Sequence, residues 1–287
     1  MSKPIVLVTG QNGQLGNELK VLSSQYPQYD FIFTDVAEMD ITNAEKVTEF
    51  FGYYKPAICI NAAAYTAVDK AETDREAAIN INAYAVGNLA ENSSKMNTRF
   101  IHTSTDYVFD GTATSPYKED HPVNPVNFYG ESKLKGEEIA IEKLPSTIII
   151  RTSWLYSSFG NNFVKTMLRL MKERESVNIV NDQFGSPTYA ADLAAAIMHI
   201  ASKAEGKGGI YHFSNEGVIS WFDFAVAIKE LAGLPCHVKP IDTSGYPTPA
   251  RRPAYSAMSK EKIKSIFEIE LKDWKDSLKK CLQLLKK

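Results

Sequence analysis

A tyrosine and a lysine that could carry proton chemistry stand four positions apart, Tyr129 and Lys133, in a segment that reads as the start of a helix. Side chains at this spacing lie on one helix face, one turn apart. A phenol has an ordinary pKa of ~10, and a nearby ammonium favours the phenolate and lowers that pKa. The pair could exchange a proton with a carbonyl oxygen while a hydride passes to or from the carbon. A hydroxyl from Thr105 or Ser104 could hold that oxygen.

Three glycines spaced by three residues, Gly10, Gly13 and Gly16, lie between the first predicted strand and the first predicted helix. In such a loop the first glycine makes the tight turn, the second lets a pyrophosphate approach the backbone, and the third lets the helix pack on the strand. The helix N-terminus then offers free N–H groups and a partial positive charge to the phosphates. The pattern predicts a dinucleotide site.

An acidic residue, Asp35, follows the second predicted strand. At this position a carboxylate can bind the 2′-hydroxyl of the adenosine ribose, which favours NAD over NADP because a 2′-phosphate would meet a negative charge. Asp35 could also be a solvated strand end. Asp40 could lie beside the adenine or cap the next helix.

The first half of the chain alternates between short apolar runs and helical patterns. Strands are predicted at 5–8, 31–33, 57–60, 99–103 and 147–150, with helices from 15 onward and at 44–54, 76–95 and 130–143. This alternation is typical of βαβ units and a parallel sheet with helices on both faces. Ligands bind such folds at the carboxyl ends of the strands, which is where the three sets of candidate residues would meet.

The second half is less regular, and it suggests a smaller unit joined to the first. We predict an α/β protein, with a Rossmann-type doubly wound parallel sheet and a smaller C-terminal α/β substrate domain. The dinucleotide-binding domain would span 1–155, with segments near 190–215 returning to it, and 156–287 would form mainly the substrate-binding domain. Within the less regular half, an amphipathic helix is predicted at the C-terminal end.

Composition limits the partners. Across 287 residues, 32 Lys and Arg nearly balance 34 Asp and Glu, which argues against a nucleic-acid binder because such proteins need a basic footprint. No apolar run reaches the roughly 18 residues of a membrane helix, and the N-terminal apolar stretch is too short for a signal peptide. Three dispersed cysteines fit a reducing, cytoplasmic setting. No metal is expected, since the histidines and cysteines lack ligand spacing.

Longer motifs carry a resemblance over most of the chain, about residues 5 to 265. The chain resembles the dTDP-4-dehydrorhamnose reductases of the extended short-chain dehydrogenase/reductase superfamily. The motifs are VTGQNGQLG at 8–16, NAAAYTAVDKAE at 61–72, STDYVFDG at 104–111, RTSWLY at 151–156, FGSPT at 184–188 and RPAYS at 252–256. The second and third are specific to that family, whereas the glycine loop alone is not.

The resemblance implies that NADPH or NADH reduces the C4 ketone of a dTDP-linked sugar, dTDP-4-dehydro-β-L-rhamnose, to give dTDP-β-L-rhamnose. Tyr129 would donate the proton, Lys133 would hold the nicotinamide ribose and tune Tyr129, and Thr105 would orient the C4 oxygen. The cofactor would contact Gly10, Asn12, Gly13, Gln14, Leu15, Gly16, Asp35, Asp40, Ile41, Ala62, Ala63, Ala64, Tyr65, Tyr129 and Lys133. The sugar nucleotide would contact Thr66, Val68, Thr105, Asp106, Tyr129, Trp154 and Arg252.

Some of these assignments have alternatives. Trp154 could be a core aromatic, and Arg252, which could meet the sugar diphosphate, has Arg251 beside it. Some family members bind magnesium through acidic residues at a dimer contact. Gln14 stands where such an acid is expected, so no metal is predicted here, although a homodimer is compatible with the resemblance.

Two other functions are compatible with the fold. A sugar-nucleotide epimerase or dehydratase would use the same core. A dehydratase usually needs an acid–base pair beside the threonine, and because Asp106 directly follows Thr105, the dehydratase function stays open. A non-catalytic dinucleotide-binding regulatory subunit is the alternative outside enzymes. The intact set of Thr105, Tyr129 and Lys133, with Trp154, favours catalysis.

Overall fold

Six parallel strands form the central sheet of the protein, for which a computed structural model describes residues 3–286. The spatial order is β2, β1, β3, β4, β5, β10. Their bounds are β1 Ile5–Thr9, β2 Asp30–Thr34, β3 Ile58–Asn61, β4 Arg99–Thr105, β5 Ile148–Thr152 and β10 Gly209–Phe213. The central strands are apolar on both faces because helices cover both sides, so their sequences read as continuous apolar runs.

Helices cover both faces of this sheet. The helices of this part are α1 Gln14–Leu22, α2 Ala44–Tyr54, α3 Val68–Ala71, α4 Arg75–Ile79, α5 Ala85–Lys95, α6 Phe128–Lys143, α8 Ala190–Lys203 and α10 Glu261–Phe267. One face of the sheet packs against α1 and α8, with α10 beside them, and the other packs against α2, α5 and α6. The architecture is the doubly wound α/β fold expected from the sequence.

The strand order reverses between β1 and β3. The chain leaves β1 toward β2 on one side, and β3, β4 and β5 follow on the other. The connections after β1 and β3 therefore separate at the carboxyl edge and leave a crevice, which is where ligands bind in open α/β sheets.

A second apolar core lies in the later half of the chain. It joins α7 Phe163–Glu173, α9 Trp221–Ala232 and α11 Trp274–Leu285 to a two-stranded parallel sheet of β7 Ser176–Val180 and β12 His237–Ile241. Four two-residue strands form two further pairs, β6 Leu155–Tyr156 with β9 Thr188–Tyr189 and β8 Phe184–Gly185 with β11 Ile219–Ser220. Segments 190–203 and 209–213 contribute α8 and β10 to the first core.

The long helix predicted at 76–95 is interrupted. A π-helical turn, Asn80–Tyr84, separates α4 from α5. The buried side-chain amide of Asn82 lies in this turn. Its oxygen accepts from the Tyr65 N–H, and its nitrogen donates to the Tyr65 carbonyl oxygen and to Ser132 Oγ. Such turns occur frequently at functional sites, and hydrophobic periodicity does not reveal them.

Side chains cap the starts of two helices. Asn43 accepts a hydrogen bond from the Lys46 N–H at the start of α2. Ser220 caps α9 in a reciprocal capping box with Asp223. Within residues 3–286 no helix has the length and apolarity needed to cross a membrane.

Candidate active site

A cleft of about 940 Å³ opens at the carboxyl ends of β1, β3, β4 and β5. Most of the predicted site residues line it. From the cofactor set these are Gly10, Asn12, Gly13, Gln14, Leu15, Asp35, Asp40, Ile41, Ala62, Ala63, Ala64, Tyr129 and Lys133, and from the substrate set Thr66, Val68, Thr105, Asp106 and Trp154. Gly16, Tyr65 and Arg252 lie outside the lining.

The glycine loop brings two backbone segments into close contact. Gly10 has a φ of +72°, and a Cβ there would lie 2.6 Å from the Ala63 nitrogen, so only glycine allows the loop after β3 to approach. Gly13 precedes α1, and no side chain in the described range caps this helix. The first N–H groups of α1 are consequently available to an anion.

The acid after β2 is tied to this loop. Asp35 Oδ2 accepts a hydrogen bond from the Asn12 N–H at 3.1 Å, and Oδ1 accepts from the Val36 N–H at 2.9 Å. The carboxylate thus faces the cleft beside the glycine loop rather than standing alone at a strand end.

The candidate tyrosine, Tyr129, lies at the start of α6, whose first turn is capped by Asn127. The Tyr129 ring packs edge-on against Tyr107, with centroids 5.7 Å apart. Burial raises the pKa of the Tyr129 phenol to about 12, although a hydrogen bond with Thr105 opposes the rise. The lowering predicted from Lys133 is therefore wrong for this arrangement, because burial is the largest cause of the shift and the opposing contribution comes from Thr105. A protonated phenol at neutral pH suits a proton donor.

Lys133 is only 2% exposed and lies one helical turn after Tyr129. Its Nζ donates a hydrogen bond to the Thr103 carbonyl oxygen at 2.7 Å. Burial lowers the pKa of Lys133 to about 8, so its charge changes close to physiological pH.

Asp106 follows the candidate threonine directly. The Thr105 hydroxyl donates to Asp106 Oδ1 at 3.1 Å, and burial raises the pKa of Asp106 to about 6. The cleft thus contains the Asp106 carboxyl group, hydrogen-bonded to the Thr105 hydroxyl, next to the position where a substrate oxygen would bind.

Trp154 forms an aromatic wall rather than packing alone in the core. Its ring stacks on Trp221, the first residue of α9, with centroids 3.6 Å apart and planes 11° apart. Its φ of +48° is unusual for a residue with a side chain and costs backbone energy. The Trp154–Trp221 stack closes the cleft on the side of the second core.

Arg252 is engaged elsewhere. Its Nη2 donates to Asp69 Oδ1 at 2.9 Å, and Nη1 donates to the Ala250 carbonyl oxygen at 3.1 Å. Asp69 also accepts from the Ala250 N–H, so this carboxylate fastens the 245–253 loop onto α3. Neighbouring Arg251 accepts through its carbonyl oxygen from Asn127, which ties the same loop to α6.

Comparison with known proteins places the chain in a family. The profile of the RmlD substrate binding domain matches residues 4–287. A dTDP-4-dehydrorhamnose reductase of Aggregatibacter actinomycetemcomitans is 44% identical, over 96% of this chain and 97% of that protein. The chain belongs to the dTDP-4-dehydrorhamnose reductase family. A reductase of Escherichia coli K12 is 41% identical, over 98% of this chain and 97% of its own length.

Solved structures agree with this assignment. A dTDP-4-dehydrorhamnose reductase of Bacillus anthracis in complex with NADP is 40% identical and superposes with a TM-score of 0.95, covering 99% of this chain and all of that one. A family member from Clostridium acetobutylicum has the same identity and TM-score. The sequence-based recognition of the family is confirmed.

A dinucleotide fits the residues that the family's cofactor would meet. Backbone contacts at Gly10 leave no room for a Cβ, and the first N–H groups of α1 face the cleft. Thr103 and Ser104 line the same cleft, and their hydroxyls are buried and have no hydrogen-bond partner in the described residues. Such groups are suited to a bound polar ligand.

Sequence reasoning missed four residues that organise this reductase-family site. They are Asn61, Asn82, His102 and Trp221. The first three are fully buried polar residues that hydrogen-bond around Lys133 and the loop after β3. Each lies in or beside an apolar run or on a helix, where hydrophobic periodicity predicts a core position. A polar residue at such a position was the signal that could have identified it. Trp221 had no signal, since its stacking partner is distant in sequence.

Gly16 tests the glycine loop. In Gly16→Ala the new Cβ would lie 2.2 Å from the Gly10 carbonyl oxygen, so α1 must move away from the loop. We expect dinucleotide affinity to fall at least about tenfold and the free energy of unfolding to fall by about 1–3 kcal/mol. Fluorescence titration with NADPH and chemical denaturation measure both.

The matched control is Gly52→Ala within α2, where a Cβ would meet nothing within 4 Å. This change should leave affinity unaltered and add up to about 1 kcal/mol of helix stability. Equal NADPH affinity in the two variants would contradict the packing argument for Gly16.

Proposed function

We propose that the protein catalyses NAD(P)H-dependent reduction of the C4 ketone of dTDP-4-dehydro-β-L-rhamnose to dTDP-β-L-rhamnose. The supporting observation is that Thr105, Tyr129 and Lys133 line one cleft with the glycine loop. Family membership supplies the substrate, because the curated relatives carry the name of this reaction.

Tyr129 supplies the proton. When bound, the reduced nicotinamide provides a hydride for the C4 carbon. The C4 oxygen then takes the Tyr129 proton, which leaves a hydroxyl on the sugar and a phenolate on the enzyme. Burial keeps the phenol protonated beforehand, since the pKa of Tyr129 is raised to about 12.

Lys133 and Thr105 prepare this transfer. Thr105 and Tyr129 line the same cleft, so the Thr105 hydroxyl can orient the C4 oxygen beside the phenol. The Lys133 ammonium, one turn away, would hold the nicotinamide ribose and stabilise the phenolate as it forms.

The sugar nucleotide would lie between the first core and the second. Thr66 and Val68, at the start of α3, would contact the sugar together with Asp106 and Trp154. Arg252 would meet the diphosphate by exchanging its Asp69 partner for phosphate oxygens. Four of these five residues belong to the proposed dinucleotide-binding domain, 1–155, and Arg252 belongs to the proposed substrate-binding domain, 156–287.

The decisive assay follows the loss of reduced-nicotinamide absorbance with dTDP-4-dehydrorhamnose, with NADH and NADPH in parallel. Turnover establishes the reductase. Dinucleotide binding without turnover would reject it and favour a different sugar nucleotide or a regulatory subunit. Retention of the nicotinamide through a full cycle would indicate an epimerase.

Asp35 should influence the choice of cofactor. In Asp35→Asn the carboxylate that faces the cleft loses its charge and keeps an acceptor oxygen. We expect the ratio of NADPH to NADH affinity to rise about tenfold, because a 2′-phosphate no longer meets a negative charge. Parallel titrations with the two cofactors measure the ratio.

Asp30→Asn, at the exposed opposite end of the same strand, is the control and should leave the ratio unchanged. If Asp35→Asn behaves like Asp30→Asn, Asp35 does not approach the adenosine ribose.

We also propose a reducing, cytoplasmic location, which is supported by three buried cysteines that are all free thiols. A homodimer and the lack of nucleic-acid partners stay predictions from the sequence.

A further inference from the structure

A buried histidine faces the amine of Lys133. His102 on β4 has no exposed surface, and its Nε2 lies 3.4 Å from Lys133 Nζ. Its other ring nitrogen, Nδ1, lies 3.0 Å from the Asn61 side-chain nitrogen. None of the roles proposed above uses His102.

The tautomer of His102 follows from the bonds of Asn61. Asn61 Oδ1 accepts from the Ala63 N–H at 3.1 Å and from the Thr9 hydroxyl at 2.6 Å. Because the Ala63 N–H can only donate, the amide oxygen must face it, and the amide nitrogen must face His102. His102 Nδ1 therefore accepts.

Burial and the Lys133 charge hold the pKa of His102 well below its usual range, so the imidazole is neutral. With Nδ1 as acceptor, the single ring proton lies on Nε2 and faces Lys133 Nζ. An ammonium has three donors and no acceptor, whereas a neutral amine has a lone pair that can accept this N–H.

We propose that His102 is a positioning residue for the reduction, whose Nε2–H, fixed by Asn61, faces Lys133 and lets the lysine release its proton more readily. This inference rests on the proposed function, in which Lys133 supports Tyr129 and the nicotinamide ribose. A series of polar contacts from the Ala63 N–H through Asn61 and His102 to Lys133 links the loop after β3 to α6.

Other groups around Lys133 do not replace His102. Two other titratable groups lie near Lys133 on α6, namely Tyr129 one turn before it and Glu137 one turn after it. Glu137 favours the ammonium and is itself paired with Arg151, while the neighbours from β1, β3 and the π-helical turn, Thr9, Asn61 and Asn82, carry no charge.

Two substitutions separate the ring nitrogens. His102→Asn keeps an acceptor near the Nδ1 position and removes the donor facing Lys133, while His102→Gln keeps an amide N–H near the Nε2 position. We expect the basic limb of the kcat profile to move up by about one pH unit in His102→Asn, since Lys133 then holds its proton to higher pH. His102→Gln should restore the limb toward its original position.

NADPH affinity gives a second readout that does not require turnover. Affinity should fall as pH passes the pKa of Lys133, and that fall should shift upward in the same variant. The proposal would be overturned if the basic limb lay at the same pH in His102→Asn and in the unaltered protein, and the variant differed only in a lower melting temperature. If His102→Asn does not fold, His102→Met, which has no N–H, takes its place.

The two proposals fail in different ways. An unaltered protein without turnover of dTDP-4-dehydrorhamnose would reject the proposed function, and the pH dependence of NADPH binding would still decide the role of His102. If the unaltered protein turns over the substrate, and the pH profiles of kcat and of NADPH affinity do not shift in His102→Asn, only the role of His102 is rejected.

Discussion

Tyr129→Phe is expected to lower kcat for the sugar-nucleotide ketone by about 10²–10⁴-fold, because it removes the proton donor. The phenyl ring keeps the edge-on packing against Tyr107, so the fold and the cleft should be retained. Dinucleotide affinity should stay within about twofold, since one neutral hydroxyl contributes little to binding. Steady-state kinetics and NADPH titration on the same preparation measure the two effects.

Tyr117→Phe is the matched control. Tyr117 is also buried, and its hydroxyl donates to Asp110 at 2.8 Å, outside the cleft. Tyr117→Phe should lower the free energy of unfolding slightly and leave kcat almost unchanged. A Tyr129→Phe enzyme that turns over within a few-fold of the Tyr117→Phe enzyme would show that another group donates the proton.

The second large effect concerns a buried ion pair. Arg151 on β5 and Glu137 on α6 are each 2% exposed, and the guanidinium bonds the carboxylate through Nε at 2.9 Å and Nη2 at 2.6 Å. Glu137→Gln leaves the Arg151 charge buried without a counter-charge. We expect the free energy of unfolding to fall by about 3–5 kcal/mol, as when other buried pairs lose one partner. Chemical denaturation measures it.

The control is the next residue of the same helix. Glu138 is half-exposed and pairs with Lys135 at 3.0 Å, so Glu138→Gln should change the free energy of unfolding by less than about 1 kcal/mol. The double variant Glu137→Leu with Arg151→Met should be more stable than Glu137→Gln, since neither charge remains. Equal stabilities for Glu137→Gln and Glu138→Gln would contradict the argument.

The local elements were predictable because their causes are local. Helix 44–54 was predicted with the bounds that α2 has, since its hydrophobic period lies within the segment. The glycine loop was equally readable, because its three glycines serve contacts made within one strand–turn–helix unit.

The family was also recognisable from sequence, and with it the activity that we propose. The motifs around Thr66, Asp106 and Trp154 are continuous stretches of chain, so their resemblance needs no coordinates. The structure then places most of the residues carried over from that resemblance around one cleft, although Arg252 lies outside the lining and bonds Asp69.

By itself the sequence determined the fold class, the glycine loop, the family and the tyrosine–lysine spacing, because each is written in contiguous residues. Only the tertiary structure decided the strand order around β1, the ion pair of Arg151 with Glu137 and the stack of Trp154 on Trp221. The same holds for the direction of the Tyr129 pKa shift, whose largest cause is burial. These features depend on desolvation and on contacts between residues distant in the chain, and neither is set by local pattern.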